Sequence, residues 1–167
     1  MKKFLVVCAV LFIVNMGCKK MNADGGGLCG CSPIEGPELD LVIRNAAGDD
    51  LLSDKTSGAY TKDNIQVYRK DENGKIIPII FAIRPQFSYG DEKFKYNFLY
   101  ISAIRYNQDT QTDVIYLKLA DHQPVELTLK LKLQGRFSVQ QLLADQKEVE
   151  KDNGTVAKFA AIYYLNR

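Results

Sequence analysis

Apolar and polar residues alternate along most of the chain beyond Pro37, and the clearest run is Val125 to Leu133. There Val125, Leu127, Leu129, Leu131 and Leu133 interleave with Glu126, Thr128, Lys130 and Lys132, nine residues of strict period two. Only a strand with one face buried and the other in water explains that pattern. Leu39, Leu41 and Ile43 alternate with Asp40, Val42 and Arg44 in the same way, and Ile115, Leu117 and Leu119 share one face of Val114 to Leu119. A short run through Ile65, Val67 and Arg69 stops at Asp71-Glu72-Asn73-Gly74, a strong hairpin turn signal. Ile76 to Ile83 is apolar but contains Pro78, which has no amide to give a ladder and so predicts an edge strand or a bulge. Phe94, Tyr96, Phe98 and Tyr100 alternate with Lys95, Asn97, Leu99 and Ile101, and the final apolar run is Val156 to Leu165.

One segment reads two ways. Between Phe137 and Glu150 the apolar positions Val139, Leu142, Leu143 and Val149 suit a helix face. The neighbouring pattern suits two short strands turning at Asp145-Gln146, and that is the expectation adopted. The whole pattern then predicts an all-β fold, an antiparallel β-sandwich, immunoglobulin-like or similar, of about seven to eight strands.

The first residues follow another rule. Lys2 and Lys3 precede an unbroken apolar run, Phe4 to Val14, of about 11 residues, whereas a membrane-spanning helix needs roughly 20. Residues 1–17 therefore read as an export signal. They end in Asn15-Met16-Gly17-Cys18, which resembles a lipobox: a small residue directly before a cysteine, with Asn15 where a Leu is usual. The resemblance implies cleavage before Cys18 and a diacylglyceryl group on its thiol, anchoring the chain to a membrane. Residues 18–36 are rich in Gly, Ser, Asn and Pro without apolar periodicity and read as a flexible tether. Residues 37–167 form the predicted domain.

Removing the leader changes the charge. The chain has 22 Lys and Arg against 20 Asp and Glu; without Lys2 and Lys3 there are 20 of each. A formally neutral chain lacks the positive field of a nucleic-acid binder, so no nucleic-acid partner is expected. A hydrophobic content of 46% suffices for a folded core.

The stretch Asn45-Ala46-Ala47-Gly48-Asp49-Asp50-Leu51-Leu52, followed by Ala59-Tyr60 and Ile65-Gln66-Val67-Tyr68, resembles a group of small bacterial envelope lipoproteins of unknown function. Their pattern is a Cys-rich tether, a strand ending in N-x-x-G-x-D-L-L, and a second strand of the type I-x-[LV]-Y. The similarity runs from Cys29 to Tyr68. It implies a lipid-anchored β-sandwich and transfers no activity, ligand or catalytic residue. On physical grounds alone, Gly48 suits a turn needing positive φ, Leu51 and Leu52 should plug an open end of the sandwich, and Asp49, Asp50 and Asp54 should face water.

Candidate chemistry is sparse. With Cys8 in the leader and Cys18 lipidated, Cys29 and Cys31 are the remaining thiols. In an oxidising compartment they form a candidate disulfide stiffening the tether. A strained C-x-C ring could also act in redox exchange, and a soft-metal site would need ligands from a second chain. His122, the sole histidine, falls in Asp121-His122-Gln123-Pro124, a turn pattern, and no G-x-S-x-G elbow accompanies it. Asp49, Asp50, Asp54 and Asp63 invite a calcium reading, but turns collect aspartates for local hydrogen bonds. Asn153-Gly154-Thr155 reads as a tight turn. No catalytic residue, cofactor or metal ligand is assigned.

The sharpest binding hypothesis is the row Phe94, Tyr96, Phe98 and Tyr100. Exposed on one strand face, it could stack on a glycan or grip an envelope protein; buried, it would be core. The leading expectation is a non-catalytic, lipid-anchored envelope module that binds or supports a partner. A glycan- or protein-binding accessory using the aromatic row comes second, and a redox or metal module at Cys29 and Cys31 third. Lys19 and Lys20 give no Asp retention signal, so the expected destination is the outer membrane, facing the periplasm.

Overall fold

The computed structural model describes residues 36–106, 110–134, 136–158 and 160–167. Residues 1–17, which the sequence reads as an export signal, and Cys18, Cys29 and Cys31 lie outside the described residues. Thirteen strands run in chain order among them: β1 (Leu39–Arg44), β2 (Ile65–Lys70), β3 (Ile76–Pro78), β4 (Phe81–Arg84), β5 (Phe87–Tyr89), β6 (Glu92–Phe94), β7 (Phe98–Ile101), β8 (Thr112–Leu119), β9 (Val125–Gln134), β10 (Arg136–Ala144), β11 (Lys147–Glu148), β12 (Glu150–Lys151) and β13 (Ile162–Asn166). Two sheets hold eleven of them, in the orders β12-β13-β1-β7-β4 and β11-β10-β9-β8-β2-β3, and β5 and β6 form a separate hairpin. The all-β expectation holds; the larger strand number comes from two- and three-residue edge pieces.

Alternation decides what lies between the sheets. On β9, Val125, Leu127, Leu129 and Leu131 are buried, and they meet Leu39, Leu41 and Ile43 of β1 in the main core. Tyr163 of β13 reaches through that core and donates its hydroxyl to the carbonyl oxygen of Val139, 3.1 Å away. A second, smaller cluster lies on the outer side of the five-stranded sheet, where Val42, Phe98 and Ile162 pack with Phe94 and Val156.

Three departures from the sequence pattern have local causes. The aromatic run is not one strand: it breaks at Lys95-Tyr96-Asn97 into β6 and β7, which lie in different sheets. The side chain of Asn97 donates to the carbonyl of Leu52 at 3.0 Å, and its amide donates to Asp50 at 2.7 Å, so the break is tied to the β1–β2 loop. The apolar run around Pro78 also divides, β3 forming the edge of one sheet and β4 the edge of the other, with buried Ile79 at the crossover. Finally, β1 and β13 pair in parallel, from Asp40 opposite Ile162 to Arg44 opposite Asn166, while the other described pairings between named strands are antiparallel.

Residues 137–150 are strands, turning at Asp145 and Gln146, both with positive φ (46° and 67°). A bulge at Gln140 shifts the β10–β9 register, so Val139 and Leu142 both point inward although they are three positions apart. That spacing is why the segment resembled a helix face.

The two ends of the sandwich close differently. At one, Leu51 and Leu52 enter the core as expected, above a turn in which Gly48 has φ of 87°. Asp50 corrects the expectation that it faces water. It is buried, accepting from the amides of Leu52 (2.8 Å) and Asn97 (2.7 Å). Asp50→Ala leaves both amides without that acceptor, and urea unfolding is expected to show a loss of about 2–3 kcal/mol. A loss near zero would mean that water replaces the carboxylate. At the other end, Arg69 and Asp113, both buried, form a two-point ion pair of 3.2 and 2.5 Å.

Candidate functional site

The best-formed cleft among the described residues opens at the Leu51 end. Leu51 comes from the β1–β2 loop, Leu119 from the last position of β8, Val125 from the first of β9, and Asn166 from the last of β13. Strand ends therefore supply an apolar floor, and the β8–β9 turn supplies His122 and Gln123 at the rim. Tyr60 and Arg167 complete a cavity of about 570 Å³. That volume is within the range of small-molecule sites, which combine an apolar lining with a few placed polar groups.

The walls are fixed by backbone bonds. The amide of Tyr60 donates to Leu51 (2.7 Å), that of Ala120 to Asn64 (2.6 Å), that of His122 to Leu119 (3.0 Å), and that of Arg167 to Arg44 (2.7 Å). Ala120 takes a positive φ of 48°, which turns the chain and sets the imidazole edge-on to the Tyr60 ring, centroids 6.4 Å apart. His122 is thus a turn residue, as its sequence context indicated, and also a wall of the cleft, which that context did not show. Imidazole, phenol and amide groups can orient a bound molecule here.

The aromatic row needs correction as a shared strand face. Phe94 and Phe98 are buried, and Tyr96 and Tyr100 are half-buried. Phe87 stacks on Phe94 at 5.3 Å, and Tyr96 meets Tyr164 edge-on at 5.8 Å, so most of the row is the second core cluster. Two of the four also meet charged groups: the Lys95 ammonium lies 5.3 Å from the Tyr96 ring centre, while at Tyr100 the Arg84 guanidinium lies 3.3 Å from the ring centre and the hydroxyl donates to Glu38. That bond holds the Tyr100 phenol above its usual pKa.

Beside it on β1 is Asp40, whose Oδ1 is buried with no hydrogen-bond partner among the described residues. Burial pushes this carboxyl up to about 6, against the pull of Arg84 and with a small push from Glu38. The folded state therefore holds the proton more tightly than the unfolded chain. Ionised Asp40 costs stability above roughly pH 6, and the cost disappears as the pH falls toward the ordinary carboxylate range. Asp40→Asn is expected to stabilise the protein by about 1–2 kcal/mol near neutral pH, after allowing for screening, and by nothing near roughly pH 4. Urea unfolding at both pH values checks this, and a pH-independent difference would sink it.

At the opposite edge of the same sheet face, Arg44 bonds Glu150 (2.8 Å) and Asn166 (3.1 Å) and covers the Tyr164 ring at 4.2 Å. Among the described residues no group of three or more His, Cys, Asp or Glu is placed to hold a metal ion. Asp49, Asp54 and Asp63 are exposed, whereas the Asp50 carboxylate is buried and taken up by two backbone amides. Among the described residues, too, no helix is long and apolar enough to cross a membrane. Sequence reading missed Asp40–Arg84–Tyr100 and Arg69–Asp113. A usable signal existed for the second, since Arg69 and Asp113 both occupy inward positions of their strands. No protein-family model matches this chain, and neither the curated proteins nor the solved structures give a significant match.

Proposed function

We propose that this chain is a lipid-anchored, non-catalytic binding module of the bacterial cell envelope. In this reading residues 1–17 direct export, lipid on Cys18 holds the protein on the outer membrane facing the periplasm, and residues 18–36 tether the sandwich. It keeps the kinship with small envelope lipoproteins that the Asn45–Leu52 pattern suggests.

The observation that carries the binding role is the end cleft. Its floor of Leu51, Leu119 and Val125 suits an apolar body, and His122, Gln123 and Asn166 suit one or two hydrogen-bonding groups on that body. The ligand class is a small amphiphile. Phe94 and Phe98 are buried, so the aromatic row offers little surface on which a ligand could stack.

Two measurements on protein purified from membranes test the proposal. Intact-mass spectrometry should give cleavage before Cys18 plus acyl chains; an unlipidated mass refutes the anchor. Native mass spectrometry should show a co-purifying small molecule, lost in His122→Trp, which fills the mouth from an exposed turn. Ligand retained in that variant, or none in the parent, refutes the cleft as the site.

A further inference from the structure

The outer face of the six-stranded sheet carries a charge pattern that the neutral composition conceals. Alternation aims Lys70 of β2, Lys118 of β8, and Lys130 and Lys132 of β9 away from the core, and none of these lysines forms an ion pair with a described residue. Glu126 is the acid among them, and it accepts the Tyr116 hydroxyl at 3.1 Å. Glu148 lies on β11, at the far edge.

The rings on this face are already occupied. Tyr68 and Tyr116 stack on one another at 5.4 Å, and the Lys70 ammonium sits 4.4 Å over Tyr116. Sugar stacking has no free ring here. What is open is apolar: Ile76, opposite Lys70 on edge strand β3, is 57% exposed, and Ile80 at the crossover to β4 is 88% exposed. Strand spacing of about 4.8 Å sets the isoleucine edge roughly 14 Å from the β9 lysines. Ile76, paired with Lys70, therefore shares the face of the lysines, and Ile80 sits at the edge of that sheet where the chain crosses to β4.

We propose that this face docks on an anionic phospholipid surface, the lysines meeting the headgroups and Ile76 and Ile80 entering the interface. Lysine is a hydrated point charge on a long apolar stem, suited to a diffuse negative surface rather than to planar, two-point recognition. The isoleucines decide the occupant. A soluble polyanion would use the lysines and gain nothing from exposed aliphatic groups, whereas a bilayer uses both. The contact is made by side chains of β2, β8 and β9 and of the β3 edge, and it stands whether or not Cys18 carries lipid.

Residues 35–167 form one compact unit that holds both hydrophobic clusters, so it can be tested without the anchor. It should sediment with vesicles of phosphatidylethanolamine and phosphatidylglycerol, stay in solution with phosphatidylcholine alone, and be released by salt. Each lysine near the surface is worth about fivefold in affinity, so Lys70→Glu with Lys130→Glu should weaken vesicle binding more than about twentyfold. Lys70→Gln with Lys130→Gln replaces that pair if charge reversal lowers the unfolding midpoint. Ile80→Ser, which removes the aliphatic group without adding charge, should weaken vesicle binding severalfold and leave binding to dextran sulfate unchanged. No sedimentation with the anionic vesicles, equal binding to phosphatidylcholine, or an Ile80→Ser variant that binds vesicles as the parent does overturns the proposal; the last result marks a face for soluble polyanions.

Discussion

Asp113→Ala is expected to lower the free energy of unfolding by about 3–5 kcal/mol. The carboxylate answers three groups at once. It accepts from Arg69 Nε (3.2 Å) and Nη2 (2.5 Å), and from the Arg105 amide (2.8 Å). Arg69 Nη2 also donates to the Ala103 carbonyl at 3.1 Å. Truncation leaves a buried guanidinium without its counter-charge and a backbone amide without its acceptor. The pair also fastens the segment after β7 over this end of the core, so urea unfolding should show the loss and hydrogen exchange should rise near Ala103 and Arg105. Replacing both partners, as Arg69→Met with Asp113→Leu, should recover most of the stability, because no charge then remains to be satisfied. A loss below about 1 kcal/mol for Asp113→Ala would mean that solvent reaches the guanidinium.

Leu117→Ala should cost about 2–5 kcal/mol. Leu117 is fully buried on β8, between β9 and β2 in the sheet, and its side chain belongs to the main core. Strands on both sides hold the backbone in place, so the cavity cannot collapse and the cost should lie toward the upper end of that range. The next residue provides the control. Lys118 points to the opposite face, and Lys118→Ala should change stability by no more than about 0.5 kcal/mol. Equal losses at the two positions in chemical denaturation would contradict the alternation on which the sandwich rests.

The sequence was most legible where one physical demand dominated. On β9 every second residue had to leave water, and the period of two is plain. The turn at Asp71–Gly74 and the edge position of Pro78 were readable because both rest on backbone chemistry that a single residue type supplies. Residues 137–150 were harder, because one extra residue at Gln140 turns a period of two into a spacing of three. The aromatic row misled for a similar reason: Asn97 is held by Asp50 and Leu52, 47 and 45 residues away, and no local pattern announces such a partner. The cleft was illegible. Its lining comes from three distant segments, and only folding brings Leu51, His122 and Asn166 to one place.

The parallel pairing of β1 with β13 bears on when this protein can fold. Arg44 and Asn166 are 122 residues apart, yet they are ladder partners, and β1 sits between β13 and β7 in the sheet. A chain emerging from the ribosome amino end first presents β1 long before its partner has been made. Until then β1 lacks one neighbour and the five-stranded sheet cannot close, a topology that folds slowly because its defining contacts are the most distant. The five-stranded sheet is therefore completed only after β13 has been made, so the assembled fold should appear late in synthesis.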